Sequence, residues 1–435
     1  MNSVWTQTAK APAFPQLKND IKTDVLIIGG GMAGILCAYK LQQAGIDSVL
    51  LEAGQIGGGI TKNTTAKVTS QHGLFYQKLV NGAGPQKAKL YIDANQQALE
   101  QYRNLCQNID CDFEEKEAYV YTLDNKKKIQ EEYRALSEAG IPCRLVKALP
   151  LPFSVAGAIQ FPRQAQFHPL KFLYAIAREL HLYENTQVQE LTKLTAGYTA
   201  QTAGGSVAAK KIIVATHFPF LNKHGSYYLK MYQHRSYVIA LEKAPLVNGM
   251  YVDEEKKGMS FRSYQNLLFV GGGGHRTGKS GGGWAELEAF SKKYFPQAEI
   301  KHRWATQDCM TLDGVPYIGN YSANTPDLYV ATGFNKWGMT SSMVAANILT
   351  DQIQEKANPY SAVFDPSRSM VKAQLIANSW EAALGWITPT GKRCPHLGCA
   401  LKWNPAEHSW DCPCHGSRFT QKGKLIDNPS TGDLK

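Results

Sequence analysis

The sequence predicts an α/β chain in which a Rossmann-like nucleotide-binding layer is interleaved with an antiparallel-sheet domain, followed by a small cysteine-rich β module. Three observations predict it. Residues 24–52 read as strand, glycine turn, helix, strand. Short alternating runs fill 232–271. Four of the nine cysteines fall between positions 394 and 414.

The elements follow in chain order. Residues 24–28 form an apolar run ahead of glycines, 32–44 carry helical spacing (Met32, Ile35, Leu36, Tyr39), and 48–52 return to a strand pattern, as a parallel βαβ unit requires. Residues 85–108 and 126–139 read as amphipathic helices, 169–183 as a helix, 186–191 as a strand and 206–216 as a hairpin arm. The runs 235–241, 248–253, 259–264 and 267–271 predict an antiparallel sheet. A helix is expected at 284–295, a strand at 327–332 and a helix at 337–353. Two prolines and few apolar residues mark 356–369 as a linker, with a helix at 369–383. The expected organisation is one two-layer unit over 1–355, with nucleotide-binding parts near 20–80, 150–220 and 305–355 and a substrate domain from the intervening segments. A linker and helix would fill 356–385, and the module 386–435.

Composition bounds the function. With 435 residues, 43% hydrophobic and 19% charged, the chain is neither disordered, collagen-like nor a disulfide miniprotein. The net charge of +11 favours anionic partners: nucleotides, acidic electron carriers, nucleic acid or a membrane surface. The longest Lys/Arg run is the three lysines at 126–128, which speaks against nucleic acid. No signal peptide or membrane span is legible, so cytoplasm is the expected compartment.

Gly29, Gly31 and Gly34, with Met32 and Ala33 between, fit G-x-G-x-x-G at a strand-to-helix turn. Glu52, followed by Ala53, ends the second strand 18 residues after Gly34, where a carboxylate meets an adenosine ribose. The motif alone fits NAD or FAD. At the far end, Gly333 and Gly338 bracket a second strand-to-helix turn whose backbone N–H groups can stabilise negative charge.

Cys394-x-His396 and Cys412-x-x-His415 form two half-sites separated by 15 residues. Two thiolates and two imidazoles suit Cys₂His₂ zinc or a mixed-ligand [2Fe–2S] centre. Each half-site carries an additional cysteine, Cys399 and Cys414, for which a simple zinc site has no use.

Resemblance sharpens both readings. TDVLIIGGGMAGILCAYKLQQAGIDSVLLEA (23–53), TQVQEL (186–191), IIVATH (212–217), DGVPYIGN (313–320) and ATGFNKWGMT (331–340) resemble, in order, the D-amino-acid-oxidase-like flavoprotein superfamily. The N-terminal stretch also looks like its γ-glutamylputrescine-oxidoreductase-type members. This implies an FAD-binding Rossmann-like layer. It implies FAD contacts from Val188, Ala215, Thr216, Asp313, Gly333, Gly338, Met339 and Thr340, and from Thr61, Thr65, Ala66 and Lys67 in the stretch after Glu52. The C-terminus resembles the Rieske signature, including CPCHGS (412–417). By that match Cys394, His396, Cys412 and His415 ligate a [2Fe–2S] cluster, and Cys399 and Cys414 form a disulfide. Ser417 would donate to a bridging sulfide, and Phe419 stands where high-potential members carry Tyr, which implies a lower potential. The small Rieske β module is expected to dock on the flavin domain through Trp386, Trp403 and Trp410, or to use them in local packing.

The substrate site is less legible. His275, Arg276 and Lys279 in a glycine-rich loop, and Lys336 and Trp337 within the flavin signature, are the catalytic or substrate-binding candidates. His72, His168, His217 and His234 read as structural. The expected activity is oxidation of an amine or amino-acid C–N bond by hydride transfer to FAD, with electrons relayed through the cluster to an external acceptor or donor protein. The rival readings are a reductase in which the cluster feeds FAD, and a non-enzymatic redox sensor or carrier.

Overall fold

The computed structural model describes residues 3–434 other than 223, 254, 256 and 257. Two large sheets and one small one carry the architecture. In the first, strand Ile21–Ile28 lies parallel to Ser48–Leu51 on one side and to Ser206–Val214 on the other. Leu328–Thr332 adds in parallel beyond it. These strands are nearly continuous apolar runs because helices cover them. Helix Met32–Gln43 packs against Gly338–Ile353, and both are mostly buried. The two strand-to-helix turns of the sequence motifs therefore open at the same edge of one sheet, where doubly wound folds bind ligands.

The second sheet has nine strands, with Met231–Glu242 paired antiparallel to both Leu267–Arg276 and Glu299–Thr311. Its membership corrects the expected layers. Gly157–Gln166 and Glu299–Thr311 belong to this sheet, not to the nucleotide-binding one, and Lys67–Val68 pairs at its edge. Apolar composition alone does not say which of two sheets a strand joins. The segment expected as a helix to 183 ends at Ala177, and 186–189 is not a strand.

The expected linker is packed rather than free. Val363 and Phe364 are buried, and Arg368 forms an ion pair with Asp313 at 2.8 Å. Helix Ala373–Ile387 then leads to a four-stranded antiparallel sheet of short strands, Lys402–Asn404, Ser409–Asp411, Arg418–Thr420 and Leu425–Asp427. Among the described residues no helix is long and apolar enough to cross a membrane.

Candidate functional site

A cavity of about 1130 Å³ lies between the two large sheets. That exceeds the roughly 300–1,000 Å³ of pockets for drug-sized ligands, and suits a dinucleotide with a substrate beside it. Its nucleotide end is built by the first glycine turn. Gly29 has φ +114°, and a Cβ there would meet the Ala215 carbonyl oxygen at 2.6 Å. A Cβ at 34 would sit 1.9 Å from the Gly29 carbonyl oxygen, so the helix can approach the strand only without a side chain. At Gly31 a Cβ would meet only the Thr61 hydroxyl, at 3.5 Å, and this residue faces the cavity. A cradle open at Gly31 and closed at Gly29 and Gly34 fits a pyrophosphate approaching backbone.

The Glu52 carboxylate accepts from Gly30 N–H at 2.6 Å and Gly54 N–H at 2.8 Å. Burial nevertheless raises its pKa. Glu184, which the motif reading missed, accepts from Ile56 N–H at 2.7 Å and fixes the loop beyond. Thr61 accepts from Met32 N–H at 3.1 Å. Burial, reinforced by the Arg262 guanidinium, lowers Lys67 to about 7.

The cavity is lined by Gly29, Gly31, Met32, Ala33, Glu52, Ala53, Thr61, Thr65, Lys67, Val188, Ala215, Thr216, Lys336, Trp337, Gly338 and Met339. Other expected contacts lie elsewhere. Gly34 is used in helix–strand packing. Ala66 is fully buried, with its carbonyl taken by Arg262. Asp313 gives its carboxylate to Arg368 and to Val315 N–H. A Cβ at Gly333 would press on Thr311, and the Thr340 hydroxyl binds His72 and the Thr69 carbonyl. His275 binds Tyr237, and Arg276 points away from the cavity, onto the C-terminal loops. A glycine-rich loop does not announce which way its flanking side chains turn.

Sequence reading missed the polar wall opposite the glycine turn. Tyr232, His234 and Ser236 alternate along one strand, Thr306, Asp308 and Met310 along its neighbour, and all six face the cavity. The period of two was the available signal. His234 and Asp308 are register partners. Burial raises Asp308 to about 6, against the pull of Lys336 and Arg235. Burial, then Lys336, lowers His234 to about 3. His72 stacks on Trp337 with centroids 4.9 Å apart, which orders the flavin-signature turn.

The C-terminal loops close alike. Gly398 N–H donates to the Cys394 carbonyl, and Gly416 N–H to the Cys412 carbonyl, each at 2.9 Å. Cys399 and Cys414 form a disulfide between the loops. The sulfurs of Cys399, Cys412 and Cys414 lie within 4.8 Å of one another. Two of these are spent in the disulfide, which leaves Cys394, Cys412 and two imidazoles as donors. The His396 and His415 rings are 5.0 Å apart. Nε2 of His396 meets Asn222 at 2.8 Å, while Nδ1 of both rings is buried without a partner among the described residues. Burial lowers these histidines to about 4 and about 3, keeping the neutral form that binds metal. Two imidazoles 5.0 Å apart, each with an orphaned Nδ1, and two free thiols supply the donor set of a Rieske cluster.

The module is held by polar contacts rather than by tryptophans. Trp386 and Trp403 remain 54% and 38% exposed, and Trp403 packs locally on Trp410. Instead Arg276 donates to the Pro413 and Cys414 carbonyls. Gln307 donates to the Gly416 carbonyl at 2.9 Å, and Arg235 and Arg418 share Glu407. Asn428 donates to the Thr216 and Phe218 carbonyls, and residues 425–428, 430 and 431 complete one cavity wall.

Fold and site together define a flavin-dependent oxidoreductase carrying an iron–sulfur module. The family described as FAD dependent oxidoreductase matches residues 24–352, and the Rieske [2Fe-2S] domain matches 370–435, so the chain belongs to the FAD-dependent oxidoreductase family and bears a C-terminal Rieske domain. Its cofactors are FAD and a [2Fe–2S] cluster. It is 34% identical to YhfW of Bacillus subtilis (strain 168), named as a Rieske 2Fe-2S iron-sulfur protein, over 99% of this chain and 96% of that one. It is 24% identical to gamma-glutamylputrescine oxidoreductase of Escherichia coli (strain K12), over 81% and 88% of the two chains. The fold matches glycine oxidase from Geobacillus kaustophilus with a TM-score of 0.68 at 21% identity, covering 80% of this chain and 99% of that one.

Proposed function

We propose that the protein oxidises a C–N bond of a small amine or amino acid and passes the electrons through its Rieske cluster to an external acceptor. The relatives named for γ-glutamylputrescine and glycine support the substrate class. The observation that carries the relay is the shared wall: residues 425–428, just beyond the cluster loops, line the same cavity as Gly31 and Glu52. FAD supplies hydride acceptance, and the cluster single-electron transfer.

In this reading Gly31, Glu52 and Thr61 hold the dinucleotide, and Cys394, His396, Cys412 and His415 hold the cluster. Ser236, His234 and Asp308 face the substrate. Asp308, carboxylate near neutral pH, accepts a proton from the substrate ammonium, and Lys336 holds Asp308 in its charged form. His234, kept neutral, offers a lone pair to a donor rather than a charge. The two sheets and residues 425–428, 430 and 431 exclude water.

Anaerobic mixing with candidate amines tests the reaction, because flavin absorbance should bleach only with a substrate. Cluster-free His396→Ala and His415→Ala proteins should still bleach but lose turnover with the acceptor. Full turnover without the cluster would end the relay.

A further inference from the structure

We propose that helix Ala373–Ile387, with its flanks, is a docking surface for an anionic lipid bilayer. This goes beyond the redox reading and does not depend on it.

The helix is fixed to the body on one side only. Asn378 accepts from Arg276 at 3.0 Å and donates to the Leu229 carbonyl at 3.2 Å. A Cβ at 385 would lie 2.6 Å from the Cys414 sulfur, so Gly385 lets the helix rest directly on the disulfide. The other side is apolar and open. Ile376 is 75% exposed, Trp380 64% and Ile387 75%, with Val371 at 86% just before the helix. Positions 376, 380, 383 and 387 recur at helical spacing, so these side chains form one stripe. Soluble monomers rarely leave so continuous an apolar strip in water.

Charge selects the occupant. Between positions 366 and 406 the sequence has one acid, Glu381, and it is ion-paired to Lys279 at 2.7 Å. Lys372 stands at the head of the helix. Lys392, Arg393 and Lys402 are exposed past its foot, and Leu401 N–H donates to the Lys392 carbonyl, which brings the last of these alongside. An apolar stripe between cationic ends complements acyl chains beneath anionic headgroups. Trp380, on the stripe, has the apolar body and polar tip that settle at that depth. A second copy laid along the stripe would bring cationic ends together in either orientation, and a single convex helix offers a protein partner no groove. At 15 residues the helix is too short to span, so it lies on the surface.

The test sediments the full-length protein with large vesicles of phosphatidylglycerol and phosphatidylcholine in equal parts, and with phosphatidylcholine alone. The expected result is binding to the anionic vesicles, released by salt. Binding should weaken on the order of tenfold on neutral vesicles and for the Ile376→Glu/Trp380→Glu variant. That variant changes exposed positions, and an unaltered melting transition and flavin spectrum verify its fold. Wild-type protein left in the supernatant with anionic vesicles overturns the proposal and leaves the face to an acidic protein. Undiminished binding by the variant overturns it too. So does a lipid-free dimer that the same substitutions dissociate, which would assign the stripe to a second copy.

Discussion

Gln233, on the central strand of the cavity wall, donates its side-chain amide to the backbone carbonyl of the cluster residue His415 at 3.0 Å. The same amide reaches the Asn428 carbonyl at 2.9 Å, and its oxygen accepts from Gln307 at 2.6 Å and faces His217 at 3.3 Å. One buried side chain thus joins the cavity to the cluster loop.

Gln233→Leu should therefore destabilise the module's seat by about 1–3 kcal/mol, because buried carbonyls lose their donor. Scanning calorimetry should show a lower-temperature transition, and proteolysis should begin near residue 370. An unchanged transition would show that the arginine contacts suffice.

Glu52→Ala removes the acceptor of two loop amides and the carboxylate at the nucleotide end of the cavity. Flavin retention should fall by about tenfold or more, read as FAD released on dilution. Iron content should stay as in the wild type. Full flavin retention would assign Glu52 to loop structure alone.

Asp308 gives a pH signature. Burial raises it from 3.8 to about 6, so the folded state holds this proton more tightly than the unfolded chain. Its stabilisation is full at acid pH below the unfolded value and is lost as pH rises through about 6, a change of about 3 kcal/mol. Denaturation of flavin-free wild type and Asp308→Asn should show the variant's advantage growing over that window and levelling above it. A constant difference would show that Asp308 does not titrate there.

The cluster environment predicts two opposed shifts. Ser417 is fully buried near Cys394 and its hydroxyl accepts from Ser430 N–H at 2.9 Å, and Phe419 is fully buried beside the cluster cysteines. Ser417→Ala should lower the reduction potential and Phe419→Tyr should raise it, each by tens of millivolts. An EPR-monitored titration reads both, and shifts of one sign would refute the hydrogen-bond account.

Features with local signals could be read from the sequence. The glycine turn at 29–34 and the Cys–His half-sites impose fixed spacings. The second helix start at Gly338 follows an apolar strand whose end is plain. What stayed hidden depends on tertiary direction. Arg276 and His275 looked like substrate ligands because they flank glycines, yet the strand turns Arg276 onto the Pro413 carbonyl. Asp313 sits in a flavin-signature segment but is claimed by Arg368, 55 residues on, which no local pattern announces. Asp308 and His234 were readable only by pairing two strands whose register the sequence does not print.

Residues 425–428 close the cavity from beyond the last metal ligand. Residues past 424 thus supply one side of a chamber whose other side begins at Ile28. A product cut short before Leu425 would leave that chamber open to water, while one that merely lacks iron would keep it shut.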